Sequence, residues 1–172
     1  EVAAVLTGSH LAAIDEFSHV VKTPMGVLAS MNEWCQKTHG ANGLAKEAAR
    51  STVRLGEVEE LLIDWLVMHG FKPKTAVLAG NTVHFDRRFI ARWMPDLHEF
   101  LHFRLVDVTS MREFVLRALP EGHHIRDRVS DLSNPDRDSD THRALDDCHG
   151  AILEAEIYWS FLSEASRFQA GA

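Results

Sequence analysis

The strongest constraint on the fold is a pair of strand-like segments separated by a very short turn. Val2–Leu6 and Leu11–Val21 are rich in strand-forming residues and flank Thr7-Gly8-Ser9-His10. So short a connection allows only antiparallel pairing, because parallel strands need a crossover of a dozen residues or more. Further along, Ala76-Val77-Leu78-Ala79 is apolar at every position, the pattern of a strand buried on both faces. His102–Val108 reads as another strand. An antiparallel hairpin followed by buried strands that alternate with helices predicts an α/β fold, a mixed β-sheet flanked by helices.

The intervening segments carry helical spacing. Pro24 opens a helix with Val27, Leu28, Met31 and Trp34 on its apolar side, and Gly40-Ala41-Asn42-Gly43 breaks it. A second helix runs from about Ser51 to His69, with Val58, Leu61, Leu62, Trp65 and Leu66 at helical spacing and Gly70 as its stop. A third passes through Phe89, Ile90 and Trp93 to Pro95, and a fourth covers Thr109–Leu119. The last spans about Ala144–Ala165, with Cys148, Ile152, Ala155 and Trp159 on one stripe. Gly122–Asp140 is polar, charged and poor in apolar residues, so it reads as a loop. A chain of 172 residues without internal repeats suits a single domain over residues 1–172.

Composition narrows the functional classes. The net charge of −7 is not that of a protein that grips long duplex nucleic acid with a basic face. A nucleic-acid substrate would have to be short, or its phosphates handled by metal ions; an acidic surface is equally a plain solubility feature. No apolar run approaches the ~20 residues of a membrane span, and Glu1–Thr7 lacks the character of a signal peptide, which points to the cytoplasm. Cys35 and Cys148 are far apart and outside any C-x-x-C spacing, so reduced, buried thiols are expected. The spacings of zinc proteases and of serine-hydrolase elbows are absent.

Two segments carry candidate chemistry. In Asp140-Thr141-His142-Arg143-Ala144-Leu145-Asp146-Asp147, His142 and Asp147 would lie about 140° apart in one regular helix. They converge only if His142 sits on the loop before the helix; an imidazole beside a carboxylate then suits a general base. The structural alternative is that Asp140 or Thr141 caps the helix while Asp146 and Asp147 favour its positive end. In Gly80-Asn81-Thr82-Val83-His84-Phe85-Asp86-Arg87-Arg88-Phe89, a carboxylate follows a buried strand and opens a helix. Ligands collect at such carboxyl ends of strands, and Asp86 there is a candidate ligand for a hard cation. A surface pair of Asp86 with Arg87 or Arg88 is the alternative.

Taken together, and in order, these motifs resemble the oligoribonuclease family of DEDDh 3′→5′ exonucleases. The resemblance rests on Gly80–Phe89, on Met94-Pro95-x-Leu97 followed by His102-Phe103-Arg104, on Asp107-Val108-Thr109 and on His142–Asp147. Trp34-Cys35-Gln36-Lys37-Thr38-His39 running to Gly43-Leu44 adds to it, and the match extends from Glu1 to about Phe161. It implies an RNase H-like mixed sheet and hydrolysis of very short single-stranded RNA, especially dinucleotides, from the 3′ end. It also implies a homodimer and two divalent ions, Mg²⁺ or Mn²⁺. By motif position Asp86 and Asp147 are implied metal ligands and His142 the general base. Trp34, His39 and Leu44 are implied to line the substrate site, with the indole against a base or sugar. Thr82, Arg104 and Thr109 are implied to hold a 5′ phosphate beside Phe103, Arg104 through charge-assisted hydrogen bonds. Plainer readings stand beside these: Trp34 as core, His39 as a helix end, Thr82 and Thr109 as turn and cap residues, and Arg104 paired with Glu99 or Asp107.

Three departures from the family pattern accompany the match. The D-x-E pair that supplies further metal ligands belongs on a first strand, expected before Glu1, and Asp15-Glu16 lacks the spacing to replace it. Two carboxylates are too few for a two-metal site, so weak metal binding and slow or no turnover are expected of these residues alone. Phe103 stands where a Tyr is usual, and Asn42 where a small residue is usual. A DEDDh exonuclease acting on longer DNA or RNA, or a non-catalytic nucleotide-binding or dimerisation module, are the competing expectations.

Overall fold

The structure is a computed structural model and describes residues 1–118 and 142–169. β1 (Val2–Thr7) pairs antiparallel with β2 (Ala13–His19), Val2 opposite His19 and Leu6 opposite Asp15, with a register shift after Leu6. The hairpin read from the sequence is therefore present. Its turn is closed by the Gly8 amide donating to the Ala12 carbonyl (2.9 Å), and His10 and Leu11 take positive φ angles to make it.

The helix expected after Pro24 is two helices, α1 (Met25–Ala29) and α2 (Glu33–Ala41). Asn32 is the cause: its backbone is extended and its side chain accepts the Cys35 amide (2.8 Å), which starts a new helix. Trp34 thus leaves the apolar stripe of Val27 and Leu28. Gly43, with φ 83°, turns the chain into α3 (Leu44–Arg50), a helix absent from the sequence reading. α4 (Leu55–Met68) ends before Gly70, also at φ 83°, as expected of a C-terminal glycine.

α4 organises the larger core. Val58, Leu62, Trp65 and Leu66 sit at i, i+4, i+7 and i+8 and bury one stripe against Phe17 of β2 and Met94, Leu97 and Phe100. Leu61 falls off this stripe and is 44% exposed. Two of the buried partners come from α6 (Pro95–Phe100), which follows α5 (His84–Trp93) after a break at Met94; Pro95 occupies the first turn of α6, where its missing amide costs nothing. The buried Glu59 carboxylate of α4 accepts the Leu97 amide (2.9 Å) and so caps α6 from a neighbouring element.

β3 (Leu78–Gly80) and β4 (Leu105–Asp107) pair in parallel, with Gly80 opposite Asp107. Both are shorter than the apolar runs that announced them. α7 (Val108–Ala118) follows β4 directly, and α8 (Ala144–Gln169) closes the described chain. α8 packs on β1 and α7 and also touches β2 and β3. The second core joins Val108 and Val115 to Ala155 and Tyr158. The stripe assigned to Trp159 belongs to Tyr158, which is fully buried while Trp159 is 54% exposed. Ile157 and Phe161 pack against the same core.

The fold is α/β with strands of both directions, as the sequence reading required. Among the described residues these strands form two two-stranded sheets rather than one continuous sheet, with α8 lying against both. The polar segment Gly122–Asp140 lies outside the described residues.

Candidate active site

His142 precedes the first residue of α8, with φ 46°. It is therefore outside the regular helix, and the angular conflict with Asp147 does not arise. Its ring stands edge-on to Trp34 (centroids 5.2 Å apart), and Trp34 is in turn edge-on to His39 (6.2 Å). Trp34 is 57% exposed, so its indole is not core. His39 Nδ1 is buried without a hydrogen-bond partner. Asn42 joins the two halves: Oδ1 accepts the Leu44 amide (3.1 Å) at the start of α3, and Nδ2 donates to the His142 carbonyl (3.4 Å).

The segment after His142 is clamped. The Arg143 guanidinium donates to the Glu1 carboxylate (2.8 Å at its shortest) and to Glu47 of α3 (2.9 Å). Glu1 also accepts the Ala144 amide (2.9 Å), giving α8 an N-terminal cap from β1's end of the molecule. Burial would push the Glu1 carboxyl up, but the hydrogen bonds from Arg143 and Ala144 hold it below its ordinary value. The caps proposed from sequence, Asp140 and Thr141, lie outside the described residues.

Asp86 and Asp147 occupy the first turns of α5 and α8. Desolvation raises the Asp86 pKa, against the smaller opposing effects of its own backbone N–H and of His84. Its neighbours do not neutralise it in the way the surface alternative required. Arg87 donates to the carbonyls of His98 (3.2 Å) and His102 (3.1 Å), and Arg88 lies over the Phe85 ring. Burial, then the negative charges of Asp147 and Asp86, push the Cys148 thiol up to about 11. Both carboxylates thus act on one half-buried sulfur, itself 3.7 Å from the Ala3 carbonyl of β1. Cys35 and Cys148 are free thiols, as expected, but both are only partly buried rather than buried.

A desolvated carboxylate is stabilised by a cation beside it, so Asp86 fits a ligand role, and oxygen donors suit a hard divalent ion. Two carboxylates are nonetheless an incomplete set. Among the described residues no group of three or more His, Cys, Asp or Glu is placed to hold a metal. Asp15 and Glu16 do not fill the deficit. Asp15 accepts from the Trp65 indole and contacts His69 (both 2.8 Å), while Glu16 pairs with His149 (2.9 Å).

A third cluster lies at the ends of β3 and β4. The Thr82 amide donates to Thr109 Oγ1 (3.0 Å), and the two hydroxyls are 3.1 Å apart. Asp107 accepts the Ser110 amide (3.2 Å) and contacts His84 Nδ1 (3.3 Å). Burial pushes its carboxyl up, yet hydrogen bonds from Ser110, His84 and the Thr82 backbone leave it below the ordinary range. Arg104 pairs with neither alternative partner: Lys74 takes Glu99 (3.0 Å) and His84 takes Asp107. Its guanidinium lies over the Phe103 ring, 5.4 Å from the centroid, and Phe103 is 74% exposed. The described contacts therefore join Thr82 to Thr109, and Arg104 to Phe103, as two separate pairs.

Sequence reasoning did not single out Glu1, Asn81, Arg143 or Glu154 as members of this region, and it noted Asn42 only as a departure. Glu154 left one trace, an acidic residue between Ala151 and Ala155 on the buried side of α8. Asn81 and Arg143 stand within the quoted motifs, but their partners lie far away in the chain, as do those of Glu1.

Comparison with known proteins gives the family. The exonuclease family profile matches residues 1–155. The chain is 38% identical over 159 residues to the oligoribonuclease of Mycobacterium avium (strain 104), covering 92% of this chain and 70% of that protein. It is 35% identical over 162 residues to the probable oligoribonuclease of Schizosaccharomyces pombe, covering 94% and 60%. Against the protein named oligoribonuclease, mitochondrial, of Homo sapiens the identity is 33% over 159 residues, covering 92% and 63%. The chain belongs to the exonuclease family, among its oligoribonuclease members.

Proposed function

We propose that the protein is a 3′→5′ exoribonuclease that hydrolyses short oligoribonucleotides, dinucleotides above all, to 5′-mononucleotides. The convergence of Trp34, His39 and His142 ahead of α8 carries this reading, and the charges of Asp86 and Asp147 both act on the Cys148 thiol. His142 takes the proton from the attacking water, whose oxygen bonds to phosphorus as the bond to the 3′ oxygen breaks, and the leaving 3′ oxygen takes a proton from solvent. Trp34 stacks on a base or sugar; an exposed indole does this without preference for one base. His39 and Leu44 complete that wall. Thr82, Thr109 and Arg104, with Phe103 behind the guanidinium, receive the 5′ phosphate, and such a stop selects short substrates.

Asp86 and Asp147 would hold part of the shell of two divalent ions, Mg²⁺ or Mn²⁺, which supply charge stabilisation at the reacting phosphate. Family membership supports divalent-ion use in general. A homodimer is part of the proposal. Phe85, Phe89 and Trp93 form an i, i+4, i+8 row on α5, all more than half exposed, which is the surface such a dimer would cover. No described helix is long and apolar enough to cross a membrane. A cytoplasmic location is proposed on the sequence reading alone.

The test is hydrolysis of a 5′-phosphorylated diribonucleotide against a seven-residue RNA with Mn²⁺. It would use the chain as it stands and the chain preceded by a strand bearing D-x-E. Faster cleavage of the dinucleotide supports the proposal. Preference for the longer RNA would move the protein to the general exonucleases, and no cleavage of either RNA by either form would end the enzyme reading.

A further inference from the structure

The turn between β3 and α5 is strained, and its restraints do not all come from the turn itself. Gly80 has φ 156°, and Thr82 has φ 52°, a conformation that a β-branched residue adopts only when its surroundings impose it. On one side the Thr82 amide is tied to Thr109. On the other, Asn81 Nδ2 donates to Glu154 Oε2 of α8 (3.0 Å). Glu154 is 6% exposed. Its other oxygen accepts from the Tyr158 hydroxyl (3.1 Å) and faces an Arg112 guanidinium nitrogen of α7 (3.5 Å). A buried carboxylate with converging donors is weak evidence for stability, since an apolar core is commonly as stable; its other attested use is to select one geometry.

We propose that Glu154 is a positioning residue for the substrate site: by holding Asn81 it fixes the strained Gly80–Thr82 turn, which presents the Thr82–Thr109 pair and the start of α5 carrying Asp86. The inference rests on the reading that Thr82 and Thr109 receive a 5′ phosphate. Glu154 touches no substrate and acts only through Asn81. The arrangement has a direction, amide to carboxylate, and that direction can be reversed. In Asn81→Asp two carboxylates meet at hydrogen-bond distance and repel. In Glu154→Gln the Asn81 amide can rotate, so the contact survives. In the double variant, Asn81→Asp with Glu154→Gln, the amide now on α8 donates to the carboxylate now in the turn, while the oxygen of that amide still accepts from Tyr158.

Two measurements on the full chain test this. Hydrogen exchange across residues 80–86 reads the turn without substrate. Calorimetric affinity for a 5′-phosphorylated and a 5′-hydroxyl diribonucleotide, in EDTA, reads the site. Asn81→Asp is expected to speed exchange in this segment and to cut the preference for the phosphorylated ligand by about tenfold. Glu154→Gln should stay within about threefold of wild type, and the double variant should return close to it. The proposal is overturned if Asn81→Asp leaves exchange unchanged, or if the double variant is no better than Asn81→Asp. A wild-type protein indifferent to the 5′ phosphate overturns the phosphate reading instead, and exchange alone then decides whether Glu154 holds the turn.

Discussion

Replacing Arg143 with Ala should loosen the start of α8 in a way that acid abolishes. The guanidinium is the main partner of the Glu1 side chain, which is 6% exposed, and it also reaches Glu47, 49% exposed. Removing one partner of a fully buried pair costs about 3–5 kcal/mol, and an exposed pair contributes at most about 1 kcal/mol. Arg143 is itself 25% exposed, and the Ala144 amide still serves Glu1, so the expected loss is about 2–3 kcal/mol. At ~2–4 °C per kcal/mol for a chain of this size, Tm should fall by roughly 5–10 °C. Glu1 has a native pKa below its ordinary 4.5. Its contribution is complete above that ordinary value and disappears as pH falls through the lowered native one. The gap between wild type and variant should thus be full at about pH 7 and close only as pH falls through the lowered native value. Calorimetric melts across this range give the answer. A gap under about 1 kcal/mol at neutral pH, or one that persists unchanged in acid, would refute the clamp. Because His142 adjoins Arg143, turnover should fall as well.

Three further outcomes are expected. His142→Ala should lower kcat by roughly 10²–10⁴-fold in steady-state hydrolysis, and a loss under about tenfold would leave His142 a structural role. Trp34→Ala should weaken dinucleotide affinity by about 1–3 kcal/mol of lost stacking, seen mainly in KM, with little change in Tm because the indole is exposed. Asp86 has its native pKa raised by desolvation, so burying its carboxylate costs stability once pH is above its ordinary 3.8. Asp86→Asn should therefore melt no lower than wild type without divalent ions, while Mn²⁺ should raise the Tm of the wild type alone; equal gains in both would remove Asp86 from the ligand set.

Some elements were legible because their signals are local. The turn at Gly8 announced the hairpin, the apolar stripe of Val58, Leu62, Trp65 and Leu66 announced α4, and Gly70 its end. The division of α1 from α2 was not legible. The Asn32 cap competes with a continuous apolar spacing, and propensity alone does not say which prevails. The spacing places Trp159 on the apolar stripe of α8, but a one-residue change of phase on a helix moves the buried stripe by about 100°. Which phase is buried depends on what packs there, namely Val108 and Val115 of α7.

The sequence by itself determined the α/β class, the hairpin, the order of the motifs and, through that order, the family. All of these rest on local periodicity, turn chemistry and residue identity, which survive without coordinates. The tertiary structure decided which side chains meet. Trp34, His39 and His142 come together, with Asn42 bonded across 100 residues of chain to the His142 carbonyl. Arg143 is held from both Glu1 and Glu47, and Asn81 is held by Glu154 of α8. Contacts between distant segments depend on how helices pack over strands, and nothing in the spacing along the chain encodes that.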